Sequence, residues 1–168
     1  MSTLFIMVGI PGSGKSFVAN AFSKTVTSVV VSRDSIRYNL LKEGDKYFSK
    51  EKQVFAAYIK EIQKHLDKGE VVFADATHLN EASRRKLISN LKLAKEDYVV
   101  PMVIETPLEI CLERNARRIG RQRVPESVIK DMFESLTDPA DDSPEMVERY
   151  NDILYMNNKE EHDDIFYG

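Results

Sequence analysis

Short, nearly uninterrupted apolar runs alternate along this chain with stretches in which apolar positions recur every three or four residues. The runs are Leu4-Phe5-Ile6-Met7-Val8, Val29-Val30-Val31, Val71-Val72-Phe73-Ala74 and Tyr98 to Ile104. Each is too short for a core helix and reads as a strand covered on both faces, as in a parallel sheet. Strands are expected at about 3–9, 29–32, 71–74 and 98–104, with a short last one at 150–156. Between them the helical spacing predicts a helix over about 15–24, burying Phe17, Val18, Ala21 and Phe22, and a short one over 34–41. A longer helix over 50–68 turns Phe55, Ile59, Ile62 and Leu66 inward, with Ser49 as its cap and Gly69 as its stop. Another over 81–94 buries Leu87, Ile88 and Leu91. Thr106 as N-cap and Pro107 at the first position open a helix carrying Leu108, Cys111 and Leu112, and a last helix follows Val124-Pro125 to about Leu136. Residues 138–144 are turn-rich. Regular alternation of strand and helix places the chain in the α/β class.

Directly after the first apolar run stands Gly9-Ile10-Pro11-Gly12-Ser13-Gly14-Lys15-Ser16, a complete G-x-x-x-x-G-K-[ST] phosphate loop. Gly9, Gly12, Ser13 and Gly14 leave backbone N–H groups free to wrap a polyphosphate. Lys15 reaches the β- and γ-phosphates, and Ser16 offers its hydroxyl to Mg²⁺ at the start of the helix. A nucleoside triphosphate, ATP or another, is the ligand this predicts. Ligands of open parallel sheets bind outside the carboxyl ends of the strands, where two more polar segments fall. The run 71–74 ends in Asp75, a Walker-B-like carboxylate suited to share a hydrated Mg²⁺ with Ser16, while Thr77 and His78 orient neighbours. After the second strand, Asp34 and Arg37 lie three apart on one helical face. There Asp34 can accept the proton of an attacking hydroxyl and Arg37 can bind a transferring or acceptor phosphate; a surface ion pair between them is the alternative reading. The neighbouring Tyr47-Phe48 fits packing and substrate stacking equally well.

With 168 residues the length matches one domain, and 42% hydrophobic and 30% charged residues are ordinary for a globular protein. No apolar stretch approaches a membrane span and no signal-peptide pattern opens the chain, so a cytoplasmic protein without membrane contact is expected. Cys111, the single cysteine, reads as a small buried hydrophobe, which excludes a disulfide framework. A net charge of −3 argues against a nucleic-acid coat protein. Charge is nevertheless uneven. Arg114, Arg117, Arg118, Arg121 and Arg123 crowd ten residues around Gly120, while residues 157–168 form an acidic tail. An arginine segment between two helices suits a lid, at about 114–125, that closes over a triphosphate and stabilises charge on the transferring group.

Taken together, Gly-x-Pro-Gly-Ser-Gly-Lys-Ser, Ser-Arg-Asp-x-x-Arg at 32–37, Asp75-Ala76-Thr77, and Arg114-Asn115-x-x-Arg118 with Val124-Pro125 downstream resemble the kinase domain of bacteriophage-type 5′-hydroxyl polynucleotide kinases, over about residues 3–137. The resemblance implies a P-loop kinase fold: a parallel five-stranded sheet of order 2-3-1-4-5 with helices on both faces. It also implies transfer of the ATP γ-phosphate to the 5′-hydroxyl end of DNA or RNA. By position, Lys15 and Ser16 would bind phosphates and Mg²⁺, Asp34 would be the general base and Arg37 would hold the scissile or acceptor phosphate. Asp75 would support the metal, and Arg118, with Arg114, would contact the ATP phosphates from the lid. No Asp-x-Asp-Gly-Thr motif follows, so a phosphatase half is not expected.

The phosphate loop specifies phosphates and not the acceptor. A kinase of the same shape acting on a small molecule, a sugar or a nucleotide is the second reading, and a nucleotide-dependent switch or ATPase the third. The Asp34–Arg37 pair speaks against a switch, which needs no base for an acceptor alcohol.

Overall fold

The computed structural model describes residues 1–157, apart from the Arg121 side chain; the acidic tail beyond residue 157 lies outside them. Five strands form one sheet of order β2-β3-β1-β4-β5, with every neighbouring pair parallel. They are β1 (Thr3–Val8), β2 (Ser28–Ser32), β3 (Val71–Asp75), β4 (Tyr98–Glu105) and β5 (Leu154–Asn157). The helices are α1 (Lys15–Ser23), α2 (Arg33–Leu40), α3 (Glu51–Leu66), α4 (Glu81–Ser89), α5 (Leu108–Ala116), α6 (Glu126–Ser135) and α7 (Pro144–Arg149). Class, strand order and parallel pairing are those the sequence and its resemblance predict.

Residue alternation in β1 divides the core. Leu4, Ile6 and Val8 face one layer with Tyr58, Ile62 and Leu66 of α3 and Leu87 of α4. Met7 faces the other with Val18 and Ala19 of α1, where Phe5 stacks on Phe73 at 4.7 Å between ring centroids. Pro101 sits inside β4, where a missing N–H is normally excluded. Val99 exchanges two hydrogen bonds with Asn151, whose side chain accepts and whose backbone N–H donates, each at 2.8 Å. Two residues on, Pro101 therefore turns toward the same side, and β5 pairs with β4 only from Met102 onward.

Several helix details depart from the sequence expectation. In α1 the buried residues are Val18 and Ala19; Phe22 is 36% exposed and Ala21 also faces outward. In α3 Ile62 and Leu66 are buried as expected and Ile59 packs against the core, while Val54 and Tyr58 fill the stripe's first half and Phe55 lies instead between Arg33 and Lys86. Ser49 donates to the Lys46 carbonyl in the preceding turn and does not cap α3. Helix α4 ends five residues early: Lys92 donates its backbone N–H to the Gln63 side chain, and Ala94 donates to Asp97, so the chain turns there. Residues 144–149, of which only 144 fell in the expected turn, form α7, and β5 begins at 154 rather than 150.

Candidate active site

The register of the sheet assembles the site. Ser32, last in β2, stands opposite Asp75, last in β3, and β1 beside them runs into the phosphate loop. Three polar segments far apart in sequence thus leave the sheet at one edge.

Within the loop, Gly12 (φ 84°) and Gly14 (φ 95°) adopt left-handed conformations that other residues take only with strain. A Cβ on Gly12 would stand 2.6 Å from the Cys111 carbonyl oxygen, so no side chain fits between the loop and α5. The loop is braced from behind. Arg114, buried to 2% exposure, donates Nη1 to the Gly12 carbonyl at 3.1 Å, and the Thr106 hydroxyl donates to the Ser13 carbonyl at 2.7 Å. Thr106 therefore serves the loop and not its expected role as helix cap; the residue at the head of α5 is Pro107. Helix α1 starts at Lys15 with no acidic residue in its first turn and no side-chain cap, leaving the positive end of its dipole open to an anion.

Lys15 bends back over the loop, its ammonium donating to the Ile10 carbonyl at 3.3 Å. Burial lowers its pKa, and the charges of Asp75 and Asp34 partly oppose the shift. The Ser16 hydroxyl donates to Asp75 Oδ2 at 2.7 Å. Burial drives the Asp75 carboxyl above its usual range against the pull of Lys15. A buried anion beside a hydroxyl is a hard-oxygen donor set, and a divalent cation bound to it would relieve the cost of burying that charge. The residues fit Mg²⁺ on that ground.

Ser32 caps α2 by accepting the Ser35 backbone N–H at 3.2 Å, and so aims the first turn of α2 at the loop. Asp34, with a side chain 61% exposed, accepts on one oxygen from Arg37 Nη1 and from the Tyr47 hydroxyl, the latter at 2.9 Å. Arg37 is 7% exposed in its side chain and held by Glu51, Asp34 and Tyr47. Glu51 takes its Nε and Nη2 at 2.5 and 2.9 Å, Tyr47 takes Nη1 at 3.0 Å, and the Tyr47 ring lies 4.6 Å from the guanidinium carbon. Burial pushes Glu51 upward, but the Arg37 hydrogen bond and the Arg37 and Arg33 charges outweigh it and hold the carboxyl below its ordinary value. Burial and the adjoining Asp34 charge raise the Tyr47 phenol far above its usual range, so it stays a neutral donor.

These groups line one crevice of about 250 Å³, which brings together Lys15, Ser16, Asp34, Arg37, Asp75 and Arg118. Arg114 is not among its lining residues, since it stands behind the loop. Arg118 reaches the crevice from the segment after α5, joined by Gln122 and Val124.

Sequence reasoning missed Arg33 and Glu51. Arg33 lines the crevice, shares Glu51 at 3.1 Å, lies over Phe55 and Tyr58 at 5.3 and 6.0 Å, and keeps a buried Nε with no hydrogen-bond partner among the described residues. Its four-residue spacing from Arg37 was the available signal, since both must share a helix face. Nothing local marks Glu51. His78 holds the loop after β3 in place: a carbonyl only accepts, so Nδ1–H donates to Met7 O at 2.6 Å and Nε2 accepts from the Tyr58 hydroxyl at 3.3 Å.

A family model described as an AAA domain matches residues 4–139, and the chain belongs to that family; with this loop and fold it is a P-loop kinase. It is similar to the L-seryl-tRNA(Sec) kinase of Methanococcus maripaludis, at 29% identity over 81% of this chain and 53% of that protein. It is similar also to the adenylyl-sulfate kinase of Lactiplantibacillus plantarum, at 28% identity over 70% of this chain and 58% of that one. A chain of the Pnkp1/Rnl/Hen1 RNA repair complex shares the fold at TM-score 0.65 and 21% identity, over 80% of this chain and 44% of that one. The chain thus spans about half the length of these three proteins. Among the described residues, no helix is long and apolar enough to cross a membrane.

Proposed function

We propose that this P-loop kinase transfers the γ-phosphate of ATP to the 5′-hydroxyl end of a polynucleotide, DNA or RNA, in the repair of nucleic-acid ends. The observation that carries the reading is that Asp34, an accessible carboxylate, opens onto the same crevice as Lys15, Ser16 and Asp75. Asp34 accepts the proton of the 5′-hydroxyl, whose oxygen attacks the γ-phosphorus while the bond to the bridging oxygen of ADP breaks. Loop N–H groups and Lys15 hold the phosphates, with Arg114 contributing through the loop it braces. Arg118 meets the charge on the transferring oxygens from the lid at 114–125. Ser16 and Asp75 would hold Mg²⁺, which when bound neutralises polyphosphate charge. Arg37 orients the acceptor phosphate next to the reacting hydroxyl.

The resemblance of residues 32–37, of Arg114-Asn115-x-x-Arg118 and of Val124-Pro125 to phage-type polynucleotide kinases supports this acceptor, as does similarity to an L-seryl-tRNA(Sec) kinase and to a chain of an RNA repair complex. The second reading, a small-molecule acceptor, is favoured by the modest size of the crevice and by similarity to an adenylyl-sulfate kinase. Labelled ATP offered side by side with 5′-OH oligonucleotides, nucleosides, adenylyl sulfate and sugars decides between them. The proposal expects the oligonucleotides to have the highest kcat/KM; labelling of a small acceptor alone would falsify it.

A further inference from the structure

Tyr47 and Phe48 are adjacent aromatics that line the crevice, and the structure gives them different tasks. Tyr47 is committed to the protein. Its hydroxyl donates to Asp34 and accepts from Arg37, and its ring lies under the Arg37 guanidinium. Phe48 makes no such bond. It packs edge-on against Tyr47 with centroids 4.5 Å apart and an interplanar angle of 83°, and 49% of its surface stays exposed although it lines the crevice.

The Tyr47 ring and the Arg37 guanidinium, whose carbon lies 5.7 Å from the Phe48 centroid, cover part of the ring, and the exposed half is what remains for a ligand. A half-exposed phenyl ring contributes little to the core, whereas its face can stack on any flat aromatic ligand. Its place in the crevice narrows which ligand. Phe48 follows the residue that holds Asp34, and the Arg37 guanidinium carbon is 5.7 Å from its centroid, so it stands on the acceptor side of the proposed reaction. Pro11, Lys15 and Ser16, from the phosphate loop and the start of α1, line the same crevice. A planar group reaching Phe48 would be attached to the alcohol presented to Asp34.

We propose that Phe48 is the stacking surface for the nucleobase of the acceptor's terminal nucleoside, with Arg37 beside it meeting the acceptor's backbone phosphate. This rests on the polynucleotide reading above and adds to it a requirement for a base at the end being phosphorylated. Phe48 is on this account a specificity residue that reads the presence of a base and not its identity, because every base has a π-face.

The test compares a 5′-OH oligonucleotide carrying a normal terminal nucleoside with one whose terminal residue is abasic, using wild type, Phe48→Ala and Phe48→Trp. For the normal end, Phe48→Ala is expected to raise the acceptor KM roughly 5- to 150-fold, the usual worth of one stacked base, and Phe48→Trp to restore it. For the abasic end, wild type already shows the raised KM and Phe48→Ala adds nothing. The ATP Kd, measured by titration, stays put. Equal use of both ends by wild type, or a shift in ATP Kd in place of the acceptor KM, overturns the inference while leaving a polynucleotide kinase standing. Failure of wild type to phosphorylate either oligonucleotide removes the reading beneath it as well. Melting temperature checks that Phe48→Ala is folded, which its half-exposed position leads one to expect.

Discussion

Glu51 grips Arg37 side-on, one carboxylate oxygen meeting Nε at 2.5 Å and the other Nη2 at 2.9 Å. Bidentate geometry of this kind fixes the plane of the guanidinium, and with it the direction of the Nη1 N–H that meets Asp34. Helix α3 thereby sets the geometry of residues on α2. Glu51→Gln loses one charge and half of the match. We expect kcat/KM for the acceptor to fall about 10- to 100-fold, the scale on which misplaced catalytic groups are felt. ATP affinity should change little, which separate titrations of the two substrates will show.

Asp34→Asn is the sharper probe of chemistry. The amide can keep an oxygen for the Tyr47 hydroxyl and Arg37, so the arrangement survives while the ability to accept a proton is lost. A drop of roughly 10²- to 10⁴-fold in kcat is expected, with ATP affinity nearly intact. Single-turnover rates measure it. A variant as fast as wild type removes Asp34 from the mechanism.

Stability toward acid should depend on His78. Burial holds its imidazole down at about 4, against the opposing hydrogen bond to Met7. Above pH about 6.5, the ordinary value, folded and unfolded chains both carry it neutral, and its contribution is complete. Between 6.5 and 4 the unfolded chain takes up a proton that the folded one refuses, so stability falls as pH falls. The loss from this group between pH 7 and pH 4.5 is on the order of 2–3 kcal/mol. His78 sits at φ 40°, which Asn tolerates, so His78→Asn should fold and show a flatter decline. Urea unfolding at the two pH values gives the comparison; parallel declines would rule the imidazole out.

Arg84 is fully buried, bridged to Asp142 at 3.0 and 2.7 Å and donating also to the His78 carbonyl at 2.9 Å and to Thr137 at 3.0 Å. Removing one partner of such a pair strands the other's charge, so Arg84→Ala should cost about 3–5 kcal/mol. The double variant Arg84→Met with Asp142→Leu, which leaves no charge behind, should recover much of that loss. Thermal or urea unfolding reads both.

Much of the frame is visible in the chain because it depends on local period. Runs such as Val71-Val72-Phe73-Ala74 announce buried strands, and the loop at 9–16 announces itself by spacing alone. What escaped depends on contacts between distant residues. Arg84 looks like any helix-surface arginine until Asp142, 58 residues on, is folded against it. Thr106 has the appearance of a helix cap but turns to the phosphate loop 93 residues earlier. Arg114 likewise carries no local mark of its place behind Gly12. In α3 the expected Ile62 and Leu66 are buried, but Phe55 meets two cations and Val54 and Tyr58 take the core positions of its half of the helix. Charge and aromatic contacts of this sort override hydrophobic period, and they concentrate where the site is built.

The most direct measurement follows the fate of the label when γ-labelled ATP is incubated with the protein and a 5′-OH oligonucleotide, and the product is then digested to mononucleotides. The account predicts label recovered as the 5′-monophosphate of the terminal nucleoside, in proportion to ends supplied. Label appearing only as inorganic phosphate, whatever the oligonucleotide concentration, would contradict it.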